Sequence, residues 1–184
     1  VITASWSVFA STDVGRWIRL RYRNGIVTGT ITAYTSATQV TITLDDGSNF
    51  IYDEQGAEAL EDTGSTYKWR MGAWNSTTGY PSLCCFHEQR LVFARNDDQP
   101  QTVWMSVSGD YENFAPTELD ASVLDDNAIT YTIANGKANY ITWMESGPTL
   151  LVGTIGNEFQ VKSASTIGQP LTPTNLTITP QTSY

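Results

Sequence analysis

The strongest constraint on this chain is the strict alternation of apolar and charged residues over positions 16–23. Ile18, Leu20 and Tyr22 lie on one side of the alternation, and Arg19, Arg21 and Arg23 lie on the other. A period of two is that of a β-strand with one face packed and one face in water. Asn24-Gly25 follows at once, and this dipeptide favours the two-residue turn of a β-hairpin because both positions tolerate positive φ. The pattern therefore predicts a hairpin near the start of the chain.

Short runs of this kind continue along the whole sequence and predict an all-β fold. Threonine, valine, isoleucine and aromatic residues alternate between turn residues. Residues 13–52 are predicted to form a small antiparallel β domain, SH3-like or similar. Its later strands are Ile26–Tyr34, Gln39–Leu44 and a short Phe50–Tyr52.

The rest of the chain is predicted to contain propeller-like blades. Residues 53–68 are acidic and are interpreted as a linker. Over 69–162, one group of strands lies near 83–87, 90–95 and 101–107, and a second near 128–133, 139–145, 149–154 and 157–162. The groups repeat on the order of every 45–60 residues, the length of a propeller blade or kelch-like unit. Residues 163–184 are rich in Pro and Thr and are predicted to be an extended tail, either a linker or a strand-like arm docked elsewhere.

The residue types needed for catalysis are sparse. His87 is the only histidine, and Cys84 and Cys85 are adjacent, so in a strand they point to opposite faces. Cys85 and His87 would share a face, but no third group nearby would orient them. The paired acids sit where turns are needed and lack calcium-loop spacing. We therefore expect no enzymatic activity, no catalytic residues, no metal site and no cofactor.

Charge limits the partners that the chain can have. Its net charge of −9 and pI near 4.4 oppose nonspecific attraction to nucleic acid. No run approaches the roughly 20 apolar residues of a membrane helix, so no membrane insertion is predicted.

The charges are nevertheless segregated, which favours contacts with charged partners, although a solvated strand face and a solvated loop are the alternative. Four of ten basic residues lie between positions 16 and 23, and seven of nineteen acids lie between 45 and 62. Trp17, Trp104 and Trp143 are interpreted as core anchors because they lie in or beside predicted strands. The candidate interface residues are Arg19, Arg21, Arg23, Trp69 and Trp74. The candidate acidic face is Asp53, Glu54, Glu58, Glu61 and Asp62.

The order of several segments carries a resemblance to a known family. These segments are Asp13–Leu20, Gly29–Tyr34, Trp69–Trp74, Gly79–Pro81, Phe86–Ala94, Pro100–Ser106, Ser108–Phe114 and Leu150–Thr154. Together they resemble structural tail proteins of bacteriophages related to the tail tubular or nozzle proteins of short-tailed phages. The likeness covers about residues 13–161 and is strongest over 69–161.

The resemblance implies a β-propeller platform that carries small β domains and assembles as a ring, commonly of six, around the channel for DNA ejection. It implies copies of itself and other tail proteins as partners, DNA passing without specific binding, and a place in the virion tail after assembly in the host cytoplasm. The relatives are several hundred residues long, and the chain starts at Val1, so it is expected to be a fragment.

Two hypotheses follow for the charged clusters. A negative lumen would repel phosphate and let DNA slide, and replacing the three arginines by glutamate would impair assembly. Two other functions stay open: a carbohydrate-binding or carbohydrate-cleaving tail module that uses Trp69, Trp74 and a carboxylate pair, and a β-rich adhesion domain.

Overall fold

The computed structural model describes residues 1–22, 25–44, 52–53, 56–57, 66–118, 122–133, 139–164 and 169–183. These residues form β-strands, turns and one short 3-10 helix, so the predicted all-β class is confirmed. The chain divides into two compact units. The first contains Val1–Thr78, and the second contains Gly79–Glu118 and Ser122–Tyr184.

The first unit is built on a five-stranded antiparallel sheet. Its strands and 3-10 helix are β1 (Ile2–Thr3), the helix (Ser11–Asp13), β2 (Trp17–Tyr22), β3 (Gly25–Ser36), β4 (Gln39–Leu44), β5 (Tyr52–Asp53), β6 (Gly56–Ala57) and β7 (Trp69–Met71). The sheet has the order β1-β4-β3-β2-β7, while β5 and β6 pair only with each other. The predicted meander β2-β3-β4 is therefore present, and β1 and β7 extend it on both sides.

The apolar residues of the alternation in β2 enter the core of this unit. Ile18 is buried together with Ile31, Val40 and Phe9, and Leu20 packs against them. Ile31 and Val40 come from the neighbouring strands, so the same face of three strands is covered. Burying one such side chain stabilises a fold by about 1.5–3 kcal/mol, which fixes the register of β2.

A buried polar network ties the 3-10 helix to the segment after β7. Asp13 accepts hydrogen bonds from the backbone nitrogen of Ala10, from Arg16 Nη1 at 2.9 Å and from Asn75 Nδ2 at 3.2 Å. Arg16 Nε also donates to the carbonyl of Gly72. Since Asp13 and Asn75 are both buried, their contacts hold distant parts of the unit together.

The second unit contains two four-stranded antiparallel sheets of consecutive strands. The first, β8-β9-β10-β11, consists of Leu83–His87, Arg90–Ala94, Thr102–Met105 and Ile129–Thr132. The second, β12-β13-β14-β15, consists of Ile141–Ser146, Leu150–Thr154, Asn157–Ser163 and Leu176–Ser183. Each sheet is an up-and-down meander, which is the form of a propeller blade.

The two sheets share one core. Val92 and Val103 from the first sheet are buried with Leu150 and Val161 from the second. The first strands of the two sheets are neighbours, because His87 Nδ1 of β8 lies 2.9 Å from Ser146 Oγ of β12. The second unit is therefore a pair of stacked meanders.

The boundaries of the predicted segments need correction. Trp69–Met71 was assigned to the blades but pairs with β2 of the first unit, and the second unit begins at Gly79. Strand β11 was grouped with the second set of strands but pairs with β10 of the first sheet. These errors share one cause, since strand partners are chosen by tertiary pairing, which a local pattern does not specify.

The structure describes part of the predicted linker and most of the predicted tail. Residues 52–53 and 56–57 form a small ladder, and most of the predicted 53–68 linker lies outside the described residues. The predicted tail 163–184 contains β15, which pairs along β14 from Ser163 to Asn157 and completes the second sheet. The predicted turn Asn24-Gly25 is only partly described, since Asn24 lies outside the described residues. On either side of it, Tyr22 pairs with Gly25.

Candidate interaction surfaces

The outward face of β2 and of residues 68–71, which contain β7, carries four cations and one tryptophan, and we call it the basic face: Trp17, Arg19, Arg21, Lys68 and Arg70. The alternation that sends Ile18 and Leu20 into the core leaves Trp17, Arg19 and Arg21 on the opposite side. In β7, Trp69 and Met71 pack against the core, which places Arg70 on the outer side. The basic face thus combines two strands that are far apart in sequence.

Pairing of the two strands sets cations opposite one another on this face. Arg19 is the cross-strand partner of Arg70, and the backbone nitrogen of Arg21 donates to the carbonyl of Lys68 at 2.8 Å. Like charges directly opposite each other in a sheet are destabilising. Sequence reasoning missed Arg70 and Lys68, since a three-residue strand has too little periodicity to reveal its outward positions.

Trp17 stands at one end of the basic face with its side chain 56% exposed. Its carbonyl accepts a hydrogen bond from the backbone nitrogen of Gly72, and a Cβ on Gly72 would lie 3.5 Å from Trp17 Cβ. The prediction that Trp17 is a core anchor is therefore wrong, because the alternation in β2 puts it outside. Trp104 is buried as predicted, whereas Trp143 is partly exposed.

The candidate interface residues are only partly brought together. Arg19 and Arg21 lie on the basic face, whereas Arg23 lies outside the described residues. Trp69 is in a strand with its ring centroid 5.9 Å from that of Phe9, and it packs against the core. The pairing of β7 with β2 turns Trp69 inward, whereas its predicted role as an interface residue requires an exposed ring. Trp74 is half-buried.

The candidate acidic face falls almost wholly outside the described residues. Asp53 belongs to β5, and its backbone pairs with Gly56. The others, Glu54, Glu58, Glu61 and Asp62, are not among the described residues. The hypothesis of an acidic channel lining stays a prediction.

A second surface, on the outer side of the sheet β8–β11, is rich in aromatic rings, and we call it the aromatic face: Cys84, Phe86, Leu91, Phe93, Tyr111 and Phe114. Phe86 is 61% exposed and meets Tyr111 edge-on at 5.2 Å between centroids. Phe93 stacks on Phe114 at 5.5 Å. Exposed apolar patches of this kind mark contact sites more often than single exposed residues do.

The Cys85 and His87 pair does not have the electrostatics of a nucleophile and base. Burial, with smaller contributions from Cys84 and Glu145, raises the pKa of Cys85 to about 11. At neutral pH the thiol is therefore protonated, and the thiolate is the reactive form. His87 is 4% exposed and contacts Ser146, and burial lowers its pKa although Glu88 opposes this.

A surface cavity of about 420 Å³ lies beside the buried guanidinium of Arg90 in the second unit. Arg90 donates to five backbone carbonyls at 2.6–3.3 Å, those of Ser106, Asp125, Asp126, Asn127 and Leu171. Glu88 Oε2 accepts from the backbone nitrogen of Leu171 at 2.7 Å. These contacts engage both charged side chains in holding loops, so the cavity wall is structural.

Within the described ranges, no three His, Cys, Asp or Glu side chains are grouped so that they could bind a metal. The described residues also include no helix with the length and apolar character needed to cross a bilayer.

No protein-family model matches the chain, and no curated protein matches it.

Proposed function

We propose that this chain is a structural component of a bacteriophage tail that forms part of the conduit for DNA ejection. The observation that carries the proposal is the second unit, in which two consecutive four-stranded meanders stack on one core with their first strands adjacent. Successive blades of a β-propeller have this arrangement, and propellers typically use about four to eight blades. The motifs that resemble nozzle proteins fall mainly in the same unit.

Self-association is part of the proposal, and the aromatic face is its candidate contact. Phe86 and Tyr111 expose rings on a sheet whose opposite side is the shared core. Another sheet, supplied by a further copy or a neighbouring tail protein, would bury these rings as the two sheets of the second unit bury their inner faces. The assembly we infer is a ring of copies in the virion tail.

The experiment that tests this role locates the chain in phage particles. Antibodies raised against the chain should label the tail of purified virions in electron micrographs, and the chain should be found in their protein content by mass spectrometry. Label on the capsid, or absence of the chain from intact virions, would contradict the proposal.

The carbohydrate alternative has lost part of its basis. It used Trp69 and Trp74 as an exposed platform, but Trp69 packs against the core of the first unit. A glycan array and a polysaccharide-hydrolysis assay separate the two functions. Specific glycan binding that is lost in Trp74→Ala would favour the carbohydrate module.

A further inference from the structure

We propose that the basic face of the first unit binds single-stranded nucleic acid, with phosphates on its cations and a base stacked on Trp17. This inference goes beyond the tail role. It uses only residues of the first unit, and it stands whether or not the chain belongs to a tail.

The first argument is the unfavourable charge arrangement on the face. Arg19 lies opposite Arg70, and Arg21 is bonded through its backbone to Lys68, the residue before β7. Arg19 makes other contacts within the protein, so the pair that matters is Arg21 with Lys68, and like charges in this arrangement weaken a sheet whose core is built on the other side. An anionic ligand across β2 and β7 would turn this repulsion into attraction.

The second argument is that part of the cluster lacks internal counter-charges. Among the described residues, no carboxylate forms an ion pair with Arg21, Lys68 or Arg70. Arg70 and Lys68 are exposed to solvent. In a protein with net charge −9, three neighbouring cations without a carboxylate partner are a local exception and form a surface suited to an anion.

Trp17 decides which class of anion fits. Its ring lies on the same face as Arg19, two positions along β2, and Gly72 across from it has no side chain to cover it. Single-strand binding proteins combine a basic track with aromatic rings on which bases stack without sequence preference. An acidic protein surface would contact the cations but would not use the exposed ring of Trp17. In a duplex the bases are stacked inside the helix and cannot stack on that ring.

The test is fluorescence anisotropy of the full chain with a labelled oligothymidylate of about 20 nucleotides, longer than the roughly 4–16 nucleotides that one small β domain covers. Binding should weaken with salt, with a slope of about −2 in log K against log salt if roughly three phosphates are neutralised. The triple variant Arg21→Gln, Lys68→Gln, Arg70→Gln should weaken binding at least about tenfold and flatten the slope. Arg19 is kept because it makes other contacts within the protein.

Two further measurements separate stacking from charge. Trp17→Ala should weaken oligothymidylate binding roughly tenfold while leaving the binding of heparin, a polyanion without bases, unchanged. Lys162→Gln on β14 of the second unit is the matched control and should bind like the wild type. Thermal unfolding should show that the triple variant is at least as stable, since it removes cross-strand repulsion.

Three outcomes would overturn the proposal. One is no binding of the oligonucleotide at low salt, and another is binding that neither the triple variant nor Trp17→Ala weakens. The third is competition by polyglutamate as strong as that by unlabelled oligothymidylate, because the occupant would then be an acidic protein surface.

Discussion

At the scale of single residues, several side chains are fixed by one neighbour each. Gly153 lies in β13 beneath Trp143, and an added Cβ there would overlap the indole ring. Trp143 and Gly153 are cross-strand partners, so the absence of a side chain lets the ring lie flat on the sheet. The side chain of His87, at the end of β8, is buried against Ser146 of β12. Its Nε2 has no hydrogen-bond partner in the described part of the protein.

Gly153→Ala should destabilise the second unit by about 1–3 kcal/mol, because overpacking forces the indole or the backbone to shift. Urea unfolding measures the change. In the double variant with Trp143→Ala, the overlap is gone, so the alanine at 153 should cost much less there than in the wild-type background. An equal cost in both backgrounds would contradict the packing argument.

Stability should fall as the pH drops from 7.5 to 5.5, because of His87. Burial lowers the pKa of His87 in the folded protein from its ordinary value of 6.5, so the unfolded chain binds the proton more readily. The contribution of neutral His87 to stability is complete above pH 6.5. It is lost as the pH falls below 6.5 and through the lowered pKa of the folded state. Urea midpoints at the two pH values measure the effect.

The variant His87→Gln is the control for this pH dependence, because His87 is the only histidine and carboxylates titrate mostly at lower pH. It should make the midpoint nearly constant between the two pH values. The same acid sensitivity in wild type and variant would assign the effect to other groups.

At the scale of elements, loops are held to strands by buried polar side chains. Arg90 at the start of β9 donates to carbonyls in the segments around residues 106, 125–127 and 171. The β8–β9 hairpin turn consists of Glu88 and Gln89, both with positive φ of 45° and 60°. Glu88 anchors the same segment at Leu171 that Arg90 reaches, so the hairpin and the chain before β15 are held as one element.

Arg90→Met should destabilise the second unit by about 3 kcal/mol or more, since it leaves several buried carbonyls without donors. Arg90→Lys should recover only part of the loss, because an ammonium cannot span the same fork of acceptors. Chemical denaturation of both variants tests this. Lysine that restores full stability would show that charge matters here and the shape of the guanidinium does not.

At the scale of the whole molecule, each unit exposes a surface that its own core does not use. The first unit has the basic face, and the second has the aromatic face. A chain with such surfaces is suited to assembly, which agrees with the structural role we propose.

Phe86→Ser combined with Tyr111→Ser should reduce self-association of the chain, because it removes two exposed rings from the aromatic face. Sedimentation velocity over a range of concentrations measures the change. Ile155→Ser is a matched control, since Ile155 is 57% exposed in the turn between β13 and β14. Equal association of all three proteins would remove the aromatic face as a contact.

The sequence by itself determined strands β2 to β4 of the first unit, strands β8 to β14 of the second, and the side of β2 that faces water. Period-two alternation is a local property, and so is the turn chemistry that separates the strands. Of the candidate sites, Arg19 and Arg21 were located correctly for this reason. Their interface role, like the tail assignment, stays a prediction.

Only the tertiary structure decided the partners of three strands that the sequence did not place. Strand β7 joins β2, β11 joins β10, and β15 completes the second sheet. The pairing of β7 with β2 turned Trp69 into the core and brought Arg70 opposite Arg19. The tertiary structure also brought Tyr111, from a later loop, against Phe86. The backbone hydrogen bonds between strands are much the same whichever side chains the strands carry. The partner of a strand therefore depends on the burial of side chains summed over the whole unit, which no short window of sequence contains.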